Sequence, residues 1–256
     1  MTGTTPRGTS PGGTSDEQAA ARWVRGMFGR IAPRYDLLNH LLSFNLDKRW
    51  RARTVARVRD ILDRPDARVL DLCCGTGDVV LALETHRLGP ALDRRPVLAS
   101  DFCHPMLIEA RRKIAARGFR SPVFEADALA LPLAGDSLDL ITVAFGFRNL
   151  ANYQRGLKEM LRVLKPGGVA AILEFSQPPN RAFAALYGFF STRVLPAIGG
   201  MISGSPDAYS YLPESIRKFP GAEALASEMQ HAGFSPVEFE RMTGGAVALH
   251  LGHKAT

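Results

Sequence analysis

The chain has few cysteines and no long apolar run, and each shortage excludes a class of protein. Its three cysteines, two of them adjacent, provide neither a disulfide framework nor the ligand spacing of a zinc site. Cys73 and Cys74 are most simply small buried thiols in a reducing cytosol. The most apolar segment, residues 183–202, is interrupted by Arg193 and Pro196, so it does not predict a membrane span. With no secretory signal either, we expect a cytoplasmic protein without a metal.

The charge balance is basic but not extreme. Lysine and arginine number 32 against 25 acidic residues, which gives a net charge of +7. Basic residues cluster at 48–53 and 111–113, where solvated helix faces are the simplest explanation and nucleic acid or an anionic membrane surface are the alternatives. We find no basic, aromatic strand surface and no nucleic-acid-binding module. We therefore expect no nucleic-acid partner, while peripheral association with the inner face of the cell membrane stays open.

The length and composition predict one domain with an irregular tail. A chain of 256 residues that is 46% hydrophobic can bury a single large core. Residues 1–20 are rich in Gly, Thr, Pro and Ser, so we expect a disordered tail. We predict one domain over 21–256, composed of a helical cap (21–64), a strand–helix core (65–176), and a substrate-side insertion with C-terminal strands (177–256).

The segment VLDLCCGTGD, residues 69–78, is the most informative part of the chain. An apolar strand carrying Asp71 breaks into a turn, Gly75-Thr76-Gly77, that is followed by a helix, and such turns direct backbone N–H groups at a ligand. A Walker phosphate loop would need a following lysine, and the dinucleotide motif would need glycine at Val80. The remaining interpretation is a pocket for S-adenosylmethionine (SAM), which has no phosphate and suits carboxylates and backbone groups.

Acidic residues also end the next strands. Asp101 ends a second apolar strand, at the place where a βαβ nucleoside site has its ribose acceptor. Asp127 and Ala128 follow a third strand and would lie at the adenine edge. These acids could simply cap helices, but that explanation is poor for acids at successive strand ends.

The remaining strands complete the predicted sheet. Apolar strands at 138–145 and 169–175 complete a buried parallel sheet, and a Gly-Gly hairpin joins 237–242 to 246–251. The fold class is therefore α/β: a Rossmann-like class I SAM-dependent methyltransferase with an N-terminal helical cap. Its seven-stranded sheet would be mostly parallel and end in an antiparallel C-terminal hairpin.

Several separate segments resemble the bacterial quinone C-methyltransferases of menaquinone and ubiquinone synthesis. Besides the glycine turn and the Pro-Gly-Gly turn at 166–168, which many SAM enzymes share, the resemblance rests on more specific segments. These are Met27-Phe28 with Ala32-Pro-Arg-Tyr35-Asp36-Leu-Leu-Asn39, Phe145-Gly-Phe-Arg148-Asn149, Leu173-Glu-Phe-Ser-Gln-Pro178, Tyr209-Ser-Tyr-Leu-Pro-Glu-Ser-Ile-Arg217 and Gly244-Gly-Ala-Val-Ala-Leu-His250. The resemblance implies methyl transfer from SAM to a ring carbon of a polyprenylated quinol.

The resemblance also implies residue roles. Arg148, Asn149 and Tyr35 would act at the quinol, with the first two emerging at the mouth of the pocket. Guanidinium stays charged in proteins, so Arg148 would stabilise a quinolate oxygen or orient a water; a structural ion pair is the alternative. The positions expected to bind SAM lie in the glycine turn and at the strand ends, and they are Asp71, Gly75, Thr76, Gly77, Asp101, Phe102, Asp127, Ala128 and Ala144. Position 144 is alanine in this chain, whereas some relatives carry serine there. Any hydrogen bond that the serine side chain makes in those relatives is therefore absent here.

The acceptor is less closely defined than the donor. The Cys-Cys pair and Ser176-Gln-Pro178 resemble the members that convert demethylmenaquinol to menaquinol; methylation of the ubiquinone precursor, or of both, is the alternative. A SAM-binding regulatory or RNA-associated protein is a third, more distant hypothesis. An apolar surface supplied by Phe183, Leu186, Tyr187, Phe189, Phe190 and Leu195 would line a groove for the prenyl tail, with an ordinary packed helix as the alternative. A homodimer stays open.

Overall fold

The computed structural model describes residues 8–12, 14–36, 43, 45–87, 94–189 and 206–256. Its strands are β1 (Val69–Leu72), β2 (Leu98–Asp101), β3 (Val123–Glu125), β4 (Leu138–Ala144), β5 (Leu164–Phe175), β6 (Phe234–Met242) and β7 (Val247–Lys254). Its helices are α1 (Glu17–Ile31), α2 (Leu46–Arg57), α3 (Arg59–Leu62), α4 (Asp78–Arg87), α5 (His104–Ala116), α6 (Tyr153–Val163), α7 (Arg181–Phe189), α8 (Pro206–Lys218) and α9 (Ala222–Ala232). Short 3-10 turns span Ala32–Arg34, Phe147–Asn149 and Thr243–Gly245.

The strands form one seven-stranded sheet in the order β3-β2-β1-β4-β5-β7-β6. The first five are parallel, while β7 pairs antiparallel with both β5 and β6. The predicted mostly parallel sheet with an antiparallel C-terminal hairpin is therefore confirmed. Because the chain leaves β1 toward β2 on one side and returns as β4 on the other, the carboxyl ends of β1 and β4 form the crevice where open α/β sheets bind ligands.

Three strands are longer than predicted. β5 begins at Leu164 rather than 169, because Leu138 pairs with Leu164 before the register shifts around the Pro-Gly-Gly segment. β6 begins at Phe234, which pairs with Lys254 at the end of β7. These extensions contain proline, glycine and charged residues, so an apolar pattern does not reveal them; main-chain pairing with a neighbour decides them.

Helices cover both faces of the sheet because successive strand residues point to opposite faces. Val69 lies in a buried cluster with α2 and α4, whose members include Val55 and Leu83. Its neighbour Leu70 lies in the opposite cluster with α6 and α9, whose members include Leu157. This alternation explains why the strands are apolar on both sides and why the polar side chains of the site occur only at strand ends.

The N-terminal tail is more ordered than predicted. α1 begins at Glu17, where Asp16 caps it by accepting the N–H of Ala19 at 2.7 Å. Upstream, Thr9 is buried and donates its N–H to the carbonyl of Leu150 at 2.8 Å. The expectation of disorder over 1–20 is therefore wrong for 8–12 and 14–20, while 1–7 lie outside the described residues. The tail lacks apolar periodicity because it is held by hydrogen bonds and not by a buried face.

The predicted helical cap divides into two parts. α1 forms its own buried cluster above the carboxyl edge of the sheet, with Met27 against Met106 of α5 and Tyr211 of α8. α2 instead packs in the main core, where Trp50 lies against Phe145 and Phe175. In the described part of the predicted cap, α1 and the turn after it therefore overlie the strand ends, while α2 lies in the main core.

The proposed prenyl groove falls mostly outside the described side chains. The described residues do not include the side chains of Leu186, Tyr187 and Phe189, nor any part of 190–205. The ring of Phe183 is described. It lies so close to Gly244 that a Cβ on Gly244 would come within 2.8 Å of the ring. In the described part of the chain, no helix has both the length and the apolar character needed to cross a bilayer.

Candidate active site

A cleft opens to solvent at the carboxyl edge of the sheet. Its walls come from the ends of β1, β2 and β4 and from the loop after β3, and the N-terminal region closes it with Phe28 and Tyr35. The lining is mainly apolar, with Asp101, Asp127 and Asn149 as polar exceptions. A mostly apolar cleft with a few convergent polar groups is typical of a small-molecule site.

The glycine turn after β1 forms one wall of the cleft. Gly75 and Gly77 have φ values of +54° and +87°, which side chains disfavour. A Cβ on Gly77 would also lie 3.4 Å from the Cβ of Ala110, so glycine lets the turn approach α5. The N–H of Gly75 donates to Asp101 at 2.9 Å, which ties the turn to the end of β2.

Two non-glycine residues of the cleft also have left-handed backbones. Cys73 and Phe145 both have φ of +56°, one just after β1 and the other just after β4. Gly146 lies between these bends, and a Cβ there would be 2.4 Å from the Cβ of Cys73. Left-handed backbone in such residues stores strain and concentrates at functional sites. Burial raises the pKa of Cys73 well above its ordinary value, so its thiol stays protonated.

Asp101 and Asp127 both line the cleft, as predicted for a nucleoside site. Asp101 accepts backbone N–H groups from Gly75 and Cys103, each at 2.9 Å and each on a different carboxylate oxygen. Each oxygen therefore keeps a lone pair for a ligand hydroxyl. Burial raises the pKa of Asp101 above its ordinary value, although the backbone donors oppose this. Asp127 is exposed and accepts the N–H of Leu129 at 2.9 Å.

Asp71 is not among the residues that line the cleft. It is buried on β1 and accepts the hydroxyl of Thr142 at 2.6 Å, while its other oxygen, Oδ2, has no hydrogen-bond partner in the described residues. Burial raises the pKa of Asp71 to about 7. Its side chain lies beneath the turn and can affect a ligand only through that turn.

Thr76 lies in an ionic cluster beside the cleft and does not line it. Its hydroxyl donates to Asp36 at 2.5 Å, and Lys113 of α5 contacts both residues, at 3.2 Å and 2.7 Å. Lys113 also pairs with Asp78, which Arg51 of α2 contacts at 3.4 Å. The cluster joins the chain next to Tyr35 to the glycine turn and to two helices. The remaining predicted SAM positions, Phe102, Ala128 and Ala144, line the cleft, and Gly77 does not.

Of the three residues predicted to act at the quinol, two reach the cleft. Tyr35 and Asn149 line it. Asn149 is buried, and its Oδ1 accepts the hydroxyl of Tyr211 at 2.9 Å. The expectation that Arg148 emerges at the pocket mouth is wrong. Its side chain is only 6% exposed and forms an ion pair with Glu174 at 3.0 Å, which is the alternative that the sequence left open.

Arg148 supports the cleft from behind. Its Nη1 donates to the carbonyl of Phe145 at 2.5 Å, and its guanidinium lies 5.2 Å from the ring centre of Phe175. Its backbone N–H and guanidinium both donate to Glu174. Burial by itself would lower the pKa of Arg148, but the Glu174 carboxylate holds that pKa above its ordinary value. Arg148 thus fixes the left-handed end of β4 and cannot accept a proton.

Sequence reasoning missed three contributors: Glu174, Tyr211 and Thr9. A single acid in the otherwise apolar strand β5 was a usable signal for Glu174, because such a residue is almost never buried without a partner. Tyr211 belongs to a segment that carried the family resemblance, but no role was attached to it. Thr9 gave no signal. His250, by contrast, is a core residue: it is buried, and its Nε2 donates to the carbonyl of Ala222 at 2.8 Å.

The sequence matches the ubiE/COQ5 methyltransferase family over residues 14–254. It is 50% identical over 228 residues to a protein of Thermus thermophilus named demethylmenaquinone methyltransferase, covering 89% of this chain and 100% of that one. A protein of the same name from Deinococcus radiodurans is 42% identical, over 93% of this chain and 95% of its own. A Geobacter sulfurreducens protein named ubiquinone/menaquinone biosynthesis C-methyltransferase UbiE is 43% identical, over 90% of this chain and 88% of its own.

The fold also resembles that of an experimentally determined structure. A SAM-dependent methyltransferase of Thermotoga maritima, described as a possible histamine N-methyltransferase, superposes with a TM-score of 0.62. The superposition covers 90% of this chain and 98% of that one, at 19% identity. Identity this low indicates a shared fold and carries no information about the acceptor.

Proposed function

Because the chain belongs to the ubiE/COQ5 methyltransferase family, whose members methylate a ring carbon in quinone biosynthesis, we propose that it converts demethylmenaquinol to menaquinol. Two relatives named for this activity are 50% and 42% identical over most of the chain. One observation carries the proposal: Asp101, Asp127, Asn149 and Tyr35 all line a single cleft. A nucleoside donor and an oxygen-bearing ring could thus meet in it.

The donor side of the cleft fits SAM. When bound, SAM supplies an electrophilic methyl group on sulfur. Asp101 would accept the ribose hydroxyls through the lone pairs that remain beside the N–H groups of Gly75 and Cys103. Asp127 with Ala128 would border the adenine, and Gly75, Phe102 and Ala144 would complete the contact surface. Asp71, Thr76 and Gly77 would act indirectly by holding the turn.

The acceptor side must make a ring carbon nucleophilic. Loss of a proton from a ring hydroxyl raises electron density on the adjacent ring carbon, so groups that favour the quinolate promote transfer. Asn149 would donate to that oxygen through Nδ2, and the hydroxyl of Tyr35 would bind the same oxygen or a water that takes the proton. Such polar assistance contributes roughly 10²–10⁴-fold, and holding the two reactants in line contributes more. Phe28 and Phe145 provide apolar walls for a ring.

The ubiquinone precursor is a second candidate acceptor. The relative from Geobacter sulfurreducens, 43% identical, carries both quinones in its name. The same cleft chemistry would serve a methoxylated benzoquinol, because the reacting unit is again a carbon beside a ring hydroxyl. A polyprenylated acceptor also lies in a membrane, and we propose that the basic surface of the protein rests on anionic headgroups while a prenyl tail enters the cleft.

The decisive experiment supplies labelled SAM and each acceptor separately to the purified protein. Reduced demethylmenaquinone should become methylated, and the oxidised quinone should not, since only the quinol has a hydroxyl to deprotonate. The polyprenyl-methoxy-benzoquinol, tested in parallel, measures the second candidate. Product from neither quinol would overturn the proposal, and product from the benzoquinol alone would replace the first acceptor by the second.

A further inference from the structure

We propose that Tyr211 and Thr9 are positioning residues that fix the amide orientation of Asn149, so that its N–H donor and not its oxygen faces the acceptor. Three side chains from distant parts of the sequence meet in one chain of hydrogen bonds. The hydroxyls of Thr9 and Tyr211 lie 2.8 Å apart, and the hydroxyl of Tyr211 lies 2.9 Å from Oδ1 of Asn149. All three residues are buried.

The direction of each hydrogen bond follows from what each group can donate. Nδ2 of Asn149 lies 3.4 Å from the carbonyl oxygen of Phe145, which can only accept. A flipped amide would put two acceptors against each other there, so Nδ2 must face that carbonyl. Oδ1 then accepts from Tyr211, and the remaining lone pair of Tyr211 accepts from Thr9. The second Nδ2 hydrogen has no protein acceptor among the described residues.

The carbonyl of Phe145 selects the orientation of the amide, and the hydroxyl of Tyr211 strengthens it by donating to Oδ1. At 3.4 Å the hydrogen bond from Nδ2 to Phe145 is long, and that carbonyl already accepts from Arg148 at 2.5 Å. Without the Tyr211 hydroxyl, only this long contact would oppose rotation of the amide. Asn149 would then present its oxygen to the cleft for part of the time, and an oxygen repels a quinolate.

The N-terminal segment holds Thr9 at the outer end of this series of hydrogen bonds. The N–H of Thr9 donates to Leu150, next to Asn149, at 2.8 Å. Gly8 packs directly on the backbone of Ala151, where a Cβ would come 1.9 Å from the carbonyl oxygen. Tyr211 is itself fixed by Trp23 of α1, with ring centres 5.1 Å apart. A segment that looks disordered in sequence thus forms the outer support of the acceptor side.

This inference rests on the proposed function, because it assigns a purpose to the donor of Asn149 in methylating a quinol. An oriented N–H costs no reorganisation when the quinolate forms, which is how fixed dipoles promote reactions. Losing the orientation should therefore slow the methyl transfer step without changing how SAM binds, since the side-chain hydrogen bonds of Asn149 go to Phe145 and Tyr211 and not to Asp101 or Asp127.

The test compares four single variants in steady-state methylation of reduced demethylmenaquinone, with the SAM Kd from calorimetry and the Tm of each. Tyr211→Phe and Thr9→Val should lower kcat about 10-fold and 3-fold, with the SAM Kd unchanged, which is the scale of one or part of one hydrogen bond. Thr9→Ser, which keeps the hydroxyl, should restore kcat. Thr14→Val is the matched control: its hydroxyl bonds the carbonyl of Pro11 at 2.7 Å, remote from Tyr211.

A double variant distinguishes one continuous chain of hydrogen bonds from two separate effects of Thr9 and Tyr211 on kcat. If Thr9 acts through Tyr211, Thr9→Val added to Tyr211→Phe should lower kcat no further. Additive losses, or Thr9→Ser behaving like Thr9→Val, would overturn the inference, as would a kcat of Tyr211→Phe equal to that of the wild type. If the wild type itself methylates neither quinol, the proposed function fails first, so the two failures are distinguishable.

Discussion

At the scale of single residues, the position of Arg148 differs most from expectation. Sequence order showed that a polar pair follows β4, and it correctly brought Asn149 to the cleft. It could not show that Glu174, 26 residues further on in a neighbouring strand, reaches the same point. A charge loses much of its solvation energy on burial, so the nearest opposite charge decides where the side chain lies. Arg148 therefore turned inward, and only Asn149 lines the cleft.

The Arg148–Glu174 pair makes an alanine or methionine substitution ambiguous as a test of catalysis. Arg148→Met leaves the Glu174 carboxylate buried without its cation and should lower the free energy of unfolding by about 3–5 kcal/mol. Adding Glu174→Leu should recover only part of that stability, because the backbone N–H groups of Arg148 and Phe175 lose their acceptor. It should not recover the methyl transfer, because the carbonyl of Phe145 still lacks the donor from Arg148. Denaturant unfolding and turnover of both variants test this.

The control for the Arg148 variants is Arg155→Met. Arg155 pairs with Glu17 at 2.9 Å, and both side chains are about half exposed. An exposed pair contributes roughly 0–1 kcal/mol, so this variant should be nearly neutral. Full activity in the Arg148→Met/Glu174→Leu variant would contradict the supporting role of Arg148.

His250 predicts a pH dependence of stability. Burial lowers its pKa from 6.5 to about 4, so between these values the unfolded chain binds the proton more readily. The stabilisation from the neutral ring is therefore complete above pH 6.5 and is lost as the pH falls toward 4. At most it amounts to roughly 3 kcal/mol.

The measurement is the stability difference between wild type and His250→Gln. That difference should be largest at pH 7.5 and narrow by about 2 kcal/mol at pH 5, as urea unfolding would report. Gln230→Asn, at an exposed position of α9 that does not titrate, is the control, and the stability difference that it causes should not narrow. If the stability difference between wild type and His250→Gln were the same at pH 7.5 and pH 5, the buried ring would not be held neutral.

At the scale of elements, the closure of the cleft depends on the ionic cluster around Lys113, which joins segments that are far apart in sequence. Lys113 of α5 binds Asp36 beside Tyr35, Thr76 in the glycine turn and Asp78 at the start of α4. Its side chain is 16% exposed, so water screens these contacts only partly. The sequence suggested only a solvated basic run at 111–113, because charge patterning cannot show which of three neighbours faces inward.

Lys113→Met should loosen this cluster and let the segment at Tyr35 move away from the turn. We expect the SAM Kd to rise about 10-fold, the effect of losing one charged hydrogen bond, with a smaller change in kcat. Arg112→Met is a matched control on the same helix, since Arg112 is exposed and pairs with Glu109 in its own helix. Calorimetric titration with SAM measures both, and equal affinities would show that the cluster does not organise the site.

At the scale of the whole molecule, a net charge of +7 fits the proposal that the protein rests on anionic membrane headgroups. The protein should co-sediment with anionic vesicles at low salt and be released at high salt, because headgroup attraction is screened. Lys48→Glu/Arg49→Glu reverses two exposed charges on α2 and should weaken binding, while neutral vesicles serve as the control. No sedimentation with anionic vesicles at either salt concentration would eliminate the membrane proposal.

The sequence by itself determined the order of strands and helices, the glycine turn and the acids that end the strands. It indicated Asp101, Asp127 and Asn149 because polar residues that follow buried strands emerge at one edge of a parallel sheet, and it indicated Tyr35 through the family resemblance. Such local patterns are set by neighbours in the chain, which is why they can be read without coordinates.

Only the tertiary structure decided which of these residues face the cleft and which support it from behind. Arg148 and Thr76 became supporting residues because Glu174 and Lys113 reached them from other elements. Thr9 entered the site because a hydrogen-bonded segment needs no apolar pattern. These outcomes depend on contacts between residues distant in sequence, and burial of charge and pairing of polar atoms are properties of the packed molecule and not of any segment in it.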